Sequence, residues 1–366
     1  MIYILYFIIF SIFGFYNWYF PRQSKQDSFA LFLVAFAMLI FQDGFRWEIG
    51  TDWEPYYEFF SKCNEQKTIA EEFEFGYVWL NKFINWLTDG DYTVFLVTHA
   101  VILYSAIFYF VKKYSYFPLL SIFLYYSFYN SVMGMNRQFL AIVFTLFSIK
   151  YIINRDKLKF ILCIIAGFLF HRSIILFLPA FFCTKQIKTR TYIIIILILA
   201  IFSLSGLINL FPIEVFYFMG DTVINKLNIY VDGAEGNSVI YSLLSIFKRL
   251  IWVIILLIFR SKFINNTEWR DRFNLCFNIY FLSTIFYLIF NGSVFQIIVS
   301  RGLIYYNIFE IIMIPYILTF FKGKLNKGLA YLLIIIYAYL MLNKGMNSYI
   351  PSVGYDIFNP YKSVLF

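Results

Sequence analysis

Apolar runs long enough to cross a bilayer begin about every 25 residues along this chain, with short polar segments between them. A membrane-spanning helix needs roughly 20 mostly apolar residues. With 61% hydrophobic and 14% charged residues, the composition lies far from that of a soluble globular protein. The sequence therefore predicts an all-α, polytopic transmembrane helical bundle of about 12 spans. The predicted spans are 2–20, 28–45, 92–111, 116–132, 138–153, 159–170, 173–183, 191–211, 239–259, 273–290, 302–321 and 329–343.

The organisation predicted from these runs is a single membrane domain over 1–366, with two long outward loops near 46–91 and 212–238. The runs 159–170 and 173–183 are too short for straight spans, which predicts a broken or tilted pair. The first 20 residues have no basic start and no small-residue cleavage site, so we interpret them as a retained span.

Charge predicts the orientation. With the first residue outside and the spans alternating, the inside segments hold 17 Lys and Arg against four acidic residues. The outside segments hold 10 Lys and Arg against 15 acidic residues. Basic residues near span ends are retained on the cytoplasmic side, so both termini are predicted to face outward. Because no clustered basic face is visible, we predict no nucleic-acid partner.

The first outward loop carries polar residues directly after the second span. Gly50 permits a tight turn that would bring Arg46 and Asp52 back over one opening. The alternative interpretation is a snorkelling arginine with a solvated aspartate. Farther along this loop, apolar residues at helical spacing predict two short amphipathic helices on the membrane surface.

Two further outward positions carry polar side chains. Arg137 and Gln138 open the fifth predicted span, and His171 and Arg172 lie at the break between the two short runs. Irregular backbone at membrane depth is tolerated only beside protein or a water-filled cavity, so this break predicts a cavity. His99 lies within an apolar span and is predicted to be a hydrogen-bonded core residue.

Charges also occur within or beside the later spans. Arg301 follows an outward turn, while Lys248, Arg249 and Glu310 lie near mid-span. Intramembrane charges usually face a partner or a cavity. Two interpretations stay open: a buried ion pair of Glu310 with Lys248 or Arg249, or a substrate role.

The four arginines Arg46, Arg137, Arg172 and Arg301 are predicted to converge on one site. Arginine forks bind phosphate oxygens in a bidentate way, which suits a lipid-linked pyrophosphate. A neighbouring carboxylate or His171 would then act as the base. No metal site or cofactor is predicted, because in Asp89-Gly90-Asp91 the second aspartate is better explained as a helix N-cap.

The order of four short motifs resembles the EpsG-like family of bacterial polysaccharide polymerases of the Wzy type. The motifs are Arg46-x3-Gly50-Thr51-Asp52-x3-Tyr56 followed by Glu74-x-Gly76-Tyr77, Arg137-Gln138, Phe170-His171-x-Ser173 followed by Leu178-Pro179, and Pro360-Tyr361. The resemblance is strongest across 46–180. This sequence lacks the very large outward loop of some Wzy polymerases.

The resemblance implies a polymerase for O-antigen, capsule or exopolysaccharide in the bacterial inner membrane. The outward side predicted from charge, which holds both termini, is then the periplasm. The implied substrate is an undecaprenyl-pyrophosphate-linked oligosaccharide, used without a nucleotide sugar, metal or cofactor. The implied fold looks like that of multi-span, lipid-linked glycosyltransferases. Implied partners are a repeat-unit flippase and a chain-length regulator.

Residue roles are predicted on this basis. The catalytic base is Asp52 or His171, with Glu74 as a third candidate. The residues predicted to bind pyrophosphate or sugar are Arg46, Arg137, Arg172, Arg301, Gln138, Tyr56 and Arg249.

Two other classes of protein remain as alternatives. A transporter or flippase of a lipid-linked glycan would use Arg249 and Glu310 near the midplane and commonly shows an inverted repeat, which is not visible in this sequence. A membrane acyltransferase would use His171 with an arginine, but it needs a cytoplasmic acyl donor. His171 is predicted to face outward.

Overall fold

The computed structural model describes residues 2–20, 24–64, 73–210, 239–264, 270–293, 295–350 and 354–365. Helices dominate these ranges and no strand occurs within them, which confirms the all-α prediction there. The predicted outward loop 212–238 lies outside the described residues.

The described residues form fourteen α-helices. The α-helices are α1 (Ile2–Tyr19), α2 (Ser24–Gly44), α3 (Trp53–Lys62), α4 (Phe75–Thr88), α5 (Tyr92–Tyr114), α6 (Pro118–Tyr129), α7 (Asn136–Ile153), α8 (Lys157–Phe168), α9 (Thr189–Ser205), α10 (Val239–Ile264), α11 (Arg270–Phe290), α12 (Ile304–Asn307), α13 (Glu310–Leu318) and α14 (Lys324–Asn347). A 3₁₀-helix covers Arg172–Phe182 and a π-helical turn covers Ile298–Gly302.

Within the described residues, five helices are long and apolar enough to cross a membrane: α1, α5, α7, α11 and α14. A sixth candidate is the bent pair Ile298–Asn307 and Glu310–Leu318, whose halves meet at 47°. Several shorter apolar helices accompany them. These helices fit a membrane protein, while the expected number of about 12 spans stays a prediction.

The predicted break within 159–183 is present. Helix α8 ends at Phe168, and the 3₁₀-helix begins at Arg172. In the turn that follows α8, the amides of Phe170 and His171 both donate to the carbonyl of Gly167, at 3.0 Å each. This turn places His171 and Arg172 at the end of a helix rather than inside one.

The chain forms two compact units. The first comprises Met1–Lys150, Leu158–Ile174 and Leu318–Phe366, and the second comprises Tyr151–Lys157 and Ile175–Ile317. In the first unit, α1 and α14 pack on α6, and α2 packs on α5. Aromatic pairs fill these contacts, including Phe10 with Tyr126 at 5.0 Å and Trp18 stacked on Tyr331 at 5.4 Å.

The polar connection between α2 and α5 folds into the two predicted short helices, α3 and α4. Tyr77 lies at the centre of their shared core and is fully buried. The opposite face of α4 presents large apolar side chains to the outside, with Trp79 58% and Trp86 71% exposed. Placement of this face on the membrane surface remains a prediction.

Candidate active site

The site is built on a turn that follows α2. Gly50 adopts φ +108°, and Gly134, in the connection between α6 and α7, adopts φ +106°. The amide of Thr51 donates to the carbonyl of Met133 at 3.2 Å. A Cβ at Gly50 would lie 2.5 Å from that carbonyl oxygen, so the two turns meet without room for a side chain. The tight turn predicted at Gly50 is confirmed.

This turn encloses Arg46, which is 1% exposed. Its guanidinium forms an ion pair with the carboxylate of Asp43 and donates to the Asp43 carbonyl at 2.6 Å. The same guanidinium donates to Asn136 Oδ1 at 3.0 Å. A buried charge is tolerated only when it is paired and hydrogen-bonded, and here both conditions hold. We call Asp43, Arg46 and Asn136 the Arg46 cluster.

His99 contacts the Arg46 cluster from α5. It is 3% exposed, and its Nε2 lies 3.1 Å from the carbonyl oxygen of Asn136. The prediction of a hydrogen-bonded core histidine is confirmed. Beside it lies a small cavity lined by Asp43, Asn130 and several tyrosines. The cavity leaves about 20 Å³ for the centre of a water molecule, which is enough for about one water.

The C-terminal segment holds the backbone of Arg46 in place. Arg46 forms a β-bridge with Ser363, and the neighbouring Trp47 amide donates to the Lys362 carbonyl at 3.0 Å. The Tyr361 hydroxyl donates to the carbonyl of Gln42, one turn before Arg46, at 2.8 Å. The Pro360-Tyr361 motif and the Arg46 motif, more than 300 residues apart in sequence, therefore belong to one structural region.

A second group of side chains surrounds Arg137 at the start of α7. Arg137 Nη1 pairs with Glu74 Oε2 at 2.9 Å, and Arg137 Nε donates to the Tyr56 hydroxyl at 3.2 Å. The guanidinium carbon lies 4.7 Å from the ring centre of Phe73. Arg137 keeps 25% of its side chain exposed, in contrast to Arg46. We call Tyr56, Phe73, Glu74 and Arg137 the Arg137 cluster.

The break after α8 meets the Arg137 cluster. Glu74 Oε1 accepts a hydrogen bond from the backbone N–H of Arg172 at 3.2 Å, while the Arg172 side chain is exposed. The start of α4 docks on the same break, because the Gly76 amide donates to the Leu169 carbonyl at 2.7 Å. A Cβ at Gly76 would lie 2.9 Å from Leu169 atoms, so this close approach requires glycine.

His171 has a defined hydrogen-bonding arrangement. Its Nδ1 accepts from the backbone N–H of Ser173 at 3.3 Å and lies 2.6 Å from Ser173 Oγ. Gln138 Nε2 donates to the same Oγ at 3.4 Å. Because a backbone N–H can only donate, we assign Nδ1 as the acceptor in this arrangement, which corresponds to the tautomer with the proton on Nε2. His171 is half-buried.

Asp52 and Glu74 both influence Tyr56. Burial raises the pKa of the Tyr56 phenol, the positive charge of Arg137 opposes that rise, and the carboxylates of Asp52 and Glu74 add to it. Asp52 is half-buried at the position preceding α3, and its side chain does not cap that helix. Glu74 therefore belongs to the Arg137 cluster, and Asp52 lies near Tyr56 of the same cluster.

The remaining predicted residues belong to the second unit. Arg249 Nη1 donates to Asn307 Oδ1 at 2.8 Å, and its guanidinium lies 4.9 Å from the ring centre of Tyr287. Arg301 is half-buried in the π-helical turn. The side chain of Lys248 lies outside the described residues, and the predicted pairing with Glu310 stays a prediction.

Asp91 caps α5 as predicted, since its carboxylate accepts from the amides of Thr93 at 2.8 Å and Val94 at 3.4 Å. In the part of the chain that the structure describes, no three His, Cys, Asp or Glu side chains come together in a way that would hold a metal ion.

Sequence analysis overlooked Asp43. This residue lies near the end of an apolar run, three positions before Arg46, and α2 ends between the two at Gly44. The i, i+3 acid–base pair was the available signal. The connection of His99 to Asn136 had no comparable signal, because the two residues are 37 positions apart.

These features fit a helical membrane protein with a partly exposed arginine cluster built from the first loop, α7 and the break after α8. The family model of the EpsG family matches residues 29–363, and this chain belongs to that family. The EpsG family is a Wzy-like polysaccharide polymerase family, which implies a glycosyltransferase-like polymerase in general. No curated protein and no solved structure matches the chain.

Proposed function

We propose that this protein polymerises undecaprenyl-pyrophosphate-linked oligosaccharide repeat units at the periplasmic face of the inner membrane. The growing glycan is transferred from its lipid carrier onto the non-reducing end of an incoming repeat unit. The observation that carries the proposal is the Arg137 cluster, where the Arg137 side chain, with 25% exposure, and the backbone N–H of Arg172 both contact Glu74, while the Arg172 side chain is exposed. Such a pair of arginines suits pyrophosphate oxygens.

In the proposed reaction, a hydroxyl oxygen of the acceptor sugar attacks the anomeric carbon of the donor glycan. The bond from that carbon to the pyrophosphate oxygen breaks, and undecaprenyl pyrophosphate leaves with the bonding electrons. Arg137 and Arg172 stabilise the charge that develops on this leaving group, which is electrostatic preorganisation. The hydroxyl proton passes to a carboxylate.

The tautomer of His171 supports a carboxylate as the base. In the assigned tautomer, Nδ1 accepts from the Ser173 amide and the imidazole presents Nε2–H as a hydrogen-bond donor. We assign His171 as a donor to a leaving-group oxygen, with Gln138 and Ser173 orienting the ring. Asp52 and Glu74 remain as the candidate bases.

We assign different roles to the other arginines. The enclosed guanidinium of Arg46 acts through Asn136, the neighbour of Arg137, and positions the start of α7. Binding of the same substrate by Arg301 and Arg249 stays a prediction. A repeat-unit flippase would supply the substrate, and a chain-length regulator would set the length of the product.

The proposal is tested by deleting the gene and examining surface polysaccharide on a ladder gel. Loss of the polymer ladder with retention of the single-repeat product is expected. Re-expression of the wild type should restore the ladder, whereas Arg137→Lys at equal protein level should not, because an ammonium cannot reproduce the forked contacts. Arg190→Lys, at an exposed arginine in the first turn of α9, is the matched control. An unchanged ladder in the deletion strain would refute the proposed function.

A further inference from the structure

Two donors from separate elements converge in the Arg137 cluster on a carboxylate of the protein itself. Glu74 Oε2 receives Arg137 Nη1 at 2.9 Å, and Glu74 Oε1 receives the Arg172 backbone N–H at 3.2 Å. Tyr56 fixes the guanidinium through Arg137 Nε. Carboxylates and phosphates both present paired oxygens to arginine, so the same donors can bind either anion.

We propose that Glu74 occupies the position of a substrate phosphate in the substrate-free protein, and that substrate displaces it and thereby releases it as the catalytic base. This inference rests on the proposed function. It assigns the anion site to the Arg137 guanidinium and the Arg172 amide, with one phosphate group of a lipid-linked pyrophosphate as the ligand.

Glu74 is free to leave because it does not hold α4. It occupies the N-cap position of that helix, where an acidic side chain commonly accepts from the first backbone amides, yet it makes no capping bond. Instead, the Leu169 carbonyl accepts from the amides of Gly76 at 2.7 Å and Tyr77 at 3.3 Å. Displacement of Glu74 therefore leaves the start of α4 bonded.

The exchange of Glu74 for a substrate phosphate explains how a negatively charged carboxylate can act as the base in a site that binds an anion. In the substrate-free protein both Glu74 oxygens are occupied, one by the Arg137 guanidinium and the other by the Arg172 backbone N–H. Substrate phosphate takes over both donors, and Glu74 loses its ion pair. The Glu74 carboxylate then accepts the proton of the acceptor hydroxyl. The oxygen of that hydroxyl bonds to the anomeric carbon, and undecaprenyl pyrophosphate leaves.

The test measures binding and polymerisation by the purified full-length protein in lipid nanodiscs. Binding of undecaprenyl pyrophosphate and, separately, of inorganic pyrophosphate is compared between wild type and Glu74→Gln. Removing the competing negative charge should tighten binding of the lipid by about tenfold or more, since like charges oppose each other in a binding site. The same variant should form no polymer because the amide accepts no proton.

Glu58→Gln, at an exposed position on α3, is the matched control and should leave both readouts unchanged. Glu74→Asp is a second variant, used in case Glu74→Gln folds poorly. It keeps the charge on a shorter side chain, so its gain in affinity for the lipid should be smaller. A gain for the lipid supports the proposal, whether or not inorganic pyrophosphate also gains. Binding of inorganic pyrophosphate shows only whether the pyrophosphate group suffices for binding without the lipid.

Unchanged or weaker binding of the lipid by both Glu74 variants would overturn the proposal. So would a polymer yield from Glu74→Gln equal to that of wild type. Failure of the proposed function gives a different result from failure of the Glu74 proposal. In that case the wild type itself would bind no lipid pyrophosphate, and the deletion strain would keep its ladder.

Discussion

Arg46 and Arg137 carry the same charge in opposite surroundings. Arg46 is enclosed by Asp43 and Asn136, with 1% exposure, whereas Arg137 keeps 25% of its side chain open. The buried guanidinium has its partners within the protein, and the open one is placed to exchange a partner for a ligand. At the scale of single residues, substitutions should therefore separate stability from activity.

We expect Asp43→Asn to destabilise the protein strongly. Removing one partner of a buried ion pair strands the other charge, at a cost of about 3–5 kcal/mol. Combining Asp43→Asn with Arg46→Gln should recover part of the loss, because no charge is then left buried. The measurements are thermal unfolding of the purified protein and its abundance in membranes.

Arg137→Ala provides the contrast, since it should abolish polymer at near-normal abundance. Additive effects of the two substitutions at Asp43 and Arg46 would show that these residues are not coupled.

We expect His171→Gln to retain part of the polymer ladder and His171→Ala to lose more of it. The glutamine amide can replace the hydrogen bond donated by Nε2–H, whereas alanine cannot. Both ladders are compared at matched protein level. Equal and complete loss in the two variants would instead make the imidazole the base.

At the scale of elements, the first loop and the α6–α7 connection depend on two glycines that face each other. Gly50 and Gly134 both adopt positive φ, and each lies against the backbone of the other's turn. This contact brings Arg46 next to Asn136 and so determines where α7 begins relative to the loop.

We expect Gly50→Ala to destabilise the fold by about 1–3 kcal/mol or more, because alanine is strained at φ +108° and its Cβ would lie 2.5 Å from the Met133 carbonyl oxygen. The expected readouts are a lower unfolding temperature and lower abundance. Gly328→Ala is the control, since a Cβ there meets no atom within 4 Å and alanine favours the helix α14. A neutral effect at Gly50 would mean that the two turns separate easily.

At the scale of the whole molecule, orientation in the membrane is the property that places the site on one side. We expect cysteine introduced at Asn64 to react with an impermeant thiol reagent from the periplasm and cysteine at Asn154 to be protected. The reason is the bias of basic residues toward the predicted inside segments. The four native cysteines are first replaced by serine.

Labelling of both positions from the same side would contradict the predicted orientation. The Arg137 cluster would then face the other compartment, and the source of its substrate would change with it.

Much of this architecture could be predicted from local sequence. Apolar runs identified α1, α5, α7, α11 and α14, because burial in lipid demands about 20 consecutive apolar residues and leaves a continuous signal. Helical spacing identified α3 and α4, and the short runs around 159–183 identified the break at His171. The motifs also indicated the family to which the chain belongs.

Which side chains meet was decided only by the tertiary structure. Arg46 has a carboxylate partner three residues away, which local sequence displays, and an amide partner 90 residues away, which only the packing of the loop on α7 supplies. Glu74 lies 63 residues from Arg137 and 98 from the Arg172 amide, so their meeting leaves no periodic trace. Helix formation depends on neighbours along the chain, whereas partner choice in a buried polar site depends on long-range packing and on the energetic need to pair every buried charge.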